Sequence, residues 1–150
     1  MYRKILVPLD GSPRSEQILP HVAEMARCYE VEVIFLQVLA PEVVITDPYQ
    51  GLAYAEVHDL FHEYEIKATS YLAQWQNSFK KQGIAARFCV ERGGTVNTII
   101  EIAEREGIDL IAMSSHGRTG LARVFYGSVA AGVLHRVDRP LLLIRAQDES

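Results

Sequence analysis

Ser114-Ser115-His116-Gly117-Arg118-Thr119-Gly120-Leu121-Ala122-Arg123-Val124-Phe125-Tyr126-Gly127-Ser128 is the stretch on which the reading of this chain turns. The apolar run Leu110-Ile111-Ala112-Met113 precedes it, and Val129, Val133 and Val137 follow at near-helical spacing. A strand, a glycine-bearing loop and a helix start are therefore predicted to meet here. Glycine lets backbone turn sharply or come close to a ligand. N–H groups at a glycine loop and at a helix N-terminus make a ready anion site. Ser128 adds a hydroxyl, and Arg118 and Arg123 add positive charge. The pattern is that of a phosphate cradle.

Upstream, strands and helices alternate. Ile5 to Leu9 is a short apolar run ending in Pro8-Leu9-Asp10-Gly11-Ser12-Pro13. A run polar only at its ends suits a parallel strand covered on both faces. Ser12 before Pro13 is a helix start, with Ser12 as N-cap, and Ile18, Val22, Met25, Ala26 and Tyr29 extend a helix over about 13–29. Val31 to Leu39 is a second strand. Ala40 to Ala55 reads as a long loop, the kind often functional or mobile. Val57, Leu60, Phe61, Tyr64, Ala68, Tyr71, Leu72, Trp75 and Phe79 predict a long amphipathic helix ending near Lys80-Lys81-Gln82-Gly83. Ile84 to Glu91 is a third strand, and Arg92-Gly93-Gly94-Thr95 a tight turn with Thr95 as a candidate N-cap. A helix through Val96, Ile99, Ile100 and Ala103 stops at Gly107, Ile108 to Met113 is the fourth strand, and Pro140 to Ile144 the fifth.

This order predicts one parallel sheet with helices on both faces. Ligands bind such sheets outside the carboxyl ends of the strands, where strand order reverses. Asp10-Gly11 after the first strand and Ser114-Ser115-His116-Gly117 after the fourth are the polar ends suited to that crevice, provided those strands are neighbours.

The 150 residues suffice for one domain with a sizeable core. With 49% hydrophobic and 23% charged residues, the chain is globular. A net charge of -4 gives no reason to expect nucleic acid. The apolar runs are too short to span a bilayer, and the N-terminus enters a strand pattern without a leader, so the expected location is the cytoplasm. Cys28 and Cys89, in apolar-patterned segments, read as two buried thiols.

Four segments together resemble the universal stress protein family, in its nucleotide-binding branch. They are Lys4-Ile5-Leu6-Val7-Pro8-Leu9-Asp10-Gly11-Ser12, Ser115-His116-Gly117-Arg118-Thr119-Gly120, Gly127-Ser128-Val129 and Arg139-Pro140-Leu141-Leu142-Leu143-Ile144. ATP-binding members carry Gly-x-x-Gly, nine residues, then Gly-Ser or Gly-Thr. Gly117, the spacer 118–126 and Gly127-Ser128 match, and Ser114 stands where the motif has its first glycine. The resemblance implies one domain over 1–150 with a Rossmann-like, adenine-nucleotide α-hydrolase-like sheet of strand order 3-2-1-4-5. It implies Asp10 at the ribose or the metal-bound phosphates with Pro8 nearby, Val38 against adenine, and Met113 close to the nucleotide. Ser115, His116, Gly117 and Arg118 would border the phosphates, with Gly127, Ser128 and Val129 holding them. The implied ligands are ATP, with ADP or AMP as alternatives, and Mg. The implied assembly is a homodimer through the fifth strands, without nucleic acid or membrane.

Each residue also has a plainer role. Asp10 could be a turn residue, Ser128 only an N-cap, Arg123 a solvated charge, and His116 a turn residue without a partner carboxylate for catalysis. His21, His58, His62 and His135 show no metal-ligand pattern. With no activated nucleophile or general base in view, the expectation is a nucleotide-dependent stress-response switch with at most slow ATP hydrolysis or autophosphorylation. A dimeric interaction protein that does not use ATP is the alternative.

Overall fold

The computed structural model describes residues 1–41, 54–115 and 127–147. Five apolar runs pair into one sheet: β1 (Lys4–Pro8), β2 (Glu32–Leu39), β3 (Ala86–Arg92), β4 (Leu110–Ser114) and β5 (Leu141–Ile144). The order is β3-β2-β1-β4-β5 and every pairing is parallel. This is the 3-2-1-4-5 order, with β1 and β4 side by side. Five helices complete the described part: α1 (Pro13–Glu16), α2 (Leu19–Tyr29), α3 (Tyr54–Lys81), α4 (Thr95–Arg105) and α5 (Ser128–Arg136).

The period of two along β1 explains why its run is apolar throughout. Ile5 and Val7 join a core cluster with Val22, Leu72 and Phe79, under α2 and α3. Leu6 points the other way and joins Ile99, Ile102 and Val133, under α4 and α5. All three β1 residues have zero exposure, so neither face can take a polar side chain at low cost. Phe35 of β2 meets Phe79 of α3 edge-on at 5.0 Å between ring centroids.

Three local expectations are corrected. The helix expected over 13–29 is two helices, because Pro20 lacks the N–H for Glu16 and its ring would crowd that carbonyl. The chain turns at Gln17 and Ile18, and Pro20 sits in the first turn of α2. Thr95 and Ser128 are each the first helical residue, not the cap; Gly94 and Gly127 take the cap positions with extended backbone. Cys28 is exposed, not buried, while Cys89 is half-buried and both are free thiols. The expected Ser12 cap holds: its hydroxyl accepts from the Ser15 N–H at 3.2 Å. Residues 42–53 of the expected loop lie outside the described residues, and α3 already begins at Tyr54.

Candidate functional site

The carboxyl ends of β1 and β4 are joined at their base and part above it. Register pairs link Ile5 to Leu110 and Leu6 to Ile111. Beyond them stand Pro8-Leu9-Asp10 on one side and Met113-Ser114-Ser115 on the other. Among the described residues four polar side chains are buried, and three of them, Ser15, Ser114 and Ser115, gather here. A buried hydroxyl needs a partner, and each has one.

Asp10 is half-buried and held by the turn that follows it. Its Oδ1 accepts from the Ser12 N–H at 2.9 Å and from the Ser12 hydroxyl at 2.5 Å. That is an Asx turn, and Gly11, at φ +84°, supplies the left-handed backbone it needs. The turn role read for Asp10 is thus real, and it also fixes the carboxylate at a strand tip. Ser15 ties the far side: its hydroxyl donates to the Ser12 carbonyl at 2.8 Å and accepts from the Asp10 N–H at 3.4 Å. Sequence reasoning read Ser12 only as a cap and passed over Ser15. The signal was the spacing Asp10, Ser12, Ser15, which lets one helix start serve a carboxylate.

Ser115 connects β4 to the two elements beyond it. Its N–H donates to the Ile144 carbonyl at 2.8 Å, and its carbonyl accepts from the Gly127 N–H at 2.5 Å. Its hydroxyl accepts from the Ala146 N–H at 3.4 Å. The Gly127 bond pins the N-terminus of α5 beside the tip of β4 and occupies Gly127's own N–H. The first-turn N–H groups of Ser128 and Val129 have no acceptor within the helix, so they are the donors that α5 brings to the crevice. Ser128 is exposed; Gly127 and Val129 are half-buried.

Val38, half-buried near the end of β2, and the buried Met113 pack on the same face of the sheet, with Val129 beside them. Those three form an apolar flank, and Pro8 lies half-buried at the end of β1. The fold therefore brings Pro8, Asp10, Met113, Ser115, Gly127, Ser128 and Val129 to one end of the sheet, with Val38 one strand away. His116, Gly117, Arg118 and Arg123 lie outside the described residues. No group of three or more His, Cys, Asp or Glu side chains could hold a metal among the described residues. No helix among them is long and apolar enough to cross a membrane.

The molecule is thus a parallel α/β protein of the doubly wound class, with a polar crevice where its strand order reverses. The family model for the universal stress protein family matches residues 1–145, and the chain belongs to that family. Universal stress protein MJ0577 of Methanocaldococcus jannaschii is 31% identical over 99% of this chain and 98% of its own. The solved structure of MJ0577 superposes with a TM-score of 0.88 at 28% identity, covering 99% of both chains. More distant solved structures share the fold. One is a universal stress protein in complex with cAMP, with TM-score 0.68 and 19% identity, covering 97% of this chain and 98% of its own. Another is an Arabidopsis thaliana family protein with AMP bound, with TM-score 0.69 and 16% identity, covering 97% and 92%.

Proposed function

We propose that this chain, as one domain over 1–150, binds an adenine nucleotide across the tips of β1 and β4 and acts as a nucleotide-dependent stress-response switch in the cytoplasm. The observation that carries this reading is the joint placement of the Asp10 carboxylate and the first turn of α5, the latter pinned by the Gly127 to Ser115 bond. A carboxylate suits ribose hydroxyls or a cation, and a helix N-terminus suits phosphate. The apolar flank of Val38 and Met113 suits a base. The fold holds AMP and cAMP in the two relatives just described, which supports the class of ligand.

ATP is the nucleotide proposed, with His116, Gly117 and Arg118 completing the phosphate contacts and ADP or AMP as weaker occupants. Mg²⁺ is usually bound through one or two carboxylates and the nucleotide's own phosphates. Asp10 fits that requirement as the carboxylate. The bound cation would neutralise phosphate charge, while Asp10 stays held by Ser12 and the α5 N–H groups orient the chain of phosphates.

Titration calorimetry with Mg-ATP at about 100 μM protein tests the reading, since that concentration detects affinities from about 5.5 kcal/mol upward. Binding is expected, and Gly127→Val, a side chain set where backbone must approach phosphate, is expected to abolish it in a folded variant. Absence of heat with wild-type protein, together with no copurified nucleotide by mass spectrometry, favours the dimeric interaction protein that does not use ATP.

A further inference from the structure

The geometry points to Ser114 as a positioning residue for Asp10, a role that rests on the nucleotide reading above. Ser114 stands three residues past Ile111, where the register pairs between β1 and β4 have stopped. It is buried at 7% exposure, in extended strand backbone, without the positive φ for which a glycine would be needed. Its hydroxyl crosses the crevice floor and donates to the Ser15 carbonyl at 3.3 Å.

From Ser15 the chain of bonds runs to the carboxylate. The Ser15 hydroxyl bonds Ser12 and Asp10 backbone, the Ser15 N–H bonds the Ser12 hydroxyl, and the Ser12 hydroxyl and N–H both end on Asp10 Oδ1. The Ser12 and Ser15 hydroxyls each donate one bond and accept one, so both are satisfied and the turn that carries Asp10 is cross-braced. The brace holds α1 against β4 and thereby sets the height of Asp10 over the crevice. A glycine at 114, the residue the family's motif carries, has no hydroxyl to give. This chain therefore spans the gap with a side chain at a position where the motif leaves it open.

The test combines amide exchange and nucleotide titration on the full chain. In nucleotide-free protein, Ser114→Ala is expected to lower protection of the Ser12 and Ser15 amides at least fivefold, with α4 amides unchanged as the control for folding. Mg-ATP affinity is expected to fall three- to tenfold. In an Asp10→Asn background the same change is expected to cost less than twofold, because its effect passes through the carboxylate. Unchanged exchange at Ser12, or equal losses of affinity in the two backgrounds, overturns the positioning role while leaving nucleotide binding in place. Wild-type protein that binds no adenine nucleotide overturns the functional reading itself, and this role with it.

Discussion

Gly132 of α5 packs closely against Val96 of α4. A Cβ at this position would stand 2.7 Å from Val96 Cγ2, and a β-branched side chain has few rotamers into which to retreat. Alanine at 132 gains about 1 kcal/mol of helix propensity but incurs an overpacking cost of about 1–3 kcal/mol. Gly132→Ala is therefore expected to be destabilising by about 1 kcal/mol in urea titration, and to become neutral or stabilising in a Val96→Ala background. The cysteines show how a local pattern can mislead at this scale. Cys28 lies just off the stripe of Val22, Met25 and Ala26 that faces the core, and a shift of one position on a helix is enough to turn it outward. Tyr29 does lie on that stripe, yet it is 56% exposed and rests edge-on against Tyr2 at 6.2 Å. Helix α2 ends there, so the core it would have entered has run out. Cys89 is half-buried in β3, and burial pushes its thiol up to about 11.

At the level of elements, Asp109 anchors the amino end of the central strand β1. Its Oδ2 accepts from the Arg3 and Lys4 N–H groups at 2.8 and 3.0 Å. These two backbone bonds hold its carboxyl below the ordinary 3.8, against a small opposing effect of desolvation. A folded value below the unfolded one means the stabilisation is complete above about pH 4 and is lost as pH falls through the folded value. Asp109→Asn is expected to be less stable than wild type at pH 7 by less than about 1 kcal/mol, since the site is partly exposed. Denaturant midpoints at pH 7 and about pH 2 check this: the gap must narrow at the lower pH. Helix boundaries were legible to the extent that their causes are local. The Ser12 cap and the stop at Gly83, whose φ is +78°, follow from neighbouring residues alone. The break between α1 and α2 was legible too, in Pro20, but the apolar spacing on either side hid it. That break lets α1 serve as a short bracket. Glu16 accepts from the Tyr71 hydroxyl at 2.7 Å, and Gln17 exchanges two 2.8 Å bonds with the Gln147 backbone. Burial, and then the Glu16 carboxylate, push the Tyr71 phenol above its ordinary range.

Over the whole molecule, β5 is an apolar edge of the sheet. Its four residues, Leu141 to Ile144, are apolar and all half-exposed. Pro140 and Ile144 carbonyls bond β4, so by the alternation of a strand Leu143 turns its N–H to the open side. Such an edge invites pairing, and the homodimer that the family resemblance implies would use it. Leu143→Pro removes the outward N–H while sparing the bonds to β4. It is expected to convert a dimer to a monomer by light scattering, whereas Leu143→Ala leaves the dimer at least partly intact. Wild-type protein that is already monomeric at about 100 μM rules the assembly out.

The alternation of apolar runs with helical spacing was enough to determine the parallel sheet, the burial of β1 on both faces, and the two polar strand tips. Each of these depends on residue period and on burial of apolar surface, which a sequence states directly. The tertiary structure alone decided that Gly127 spends its N–H on Ser115, that Ser12 and Ser15 hold Asp10, and that Ser114 reaches Ser15 across 99 positions of chain. Hydrogen bonds are directional and short-ranged, so they are settled only once distant segments have been brought within about 3 Å of each other.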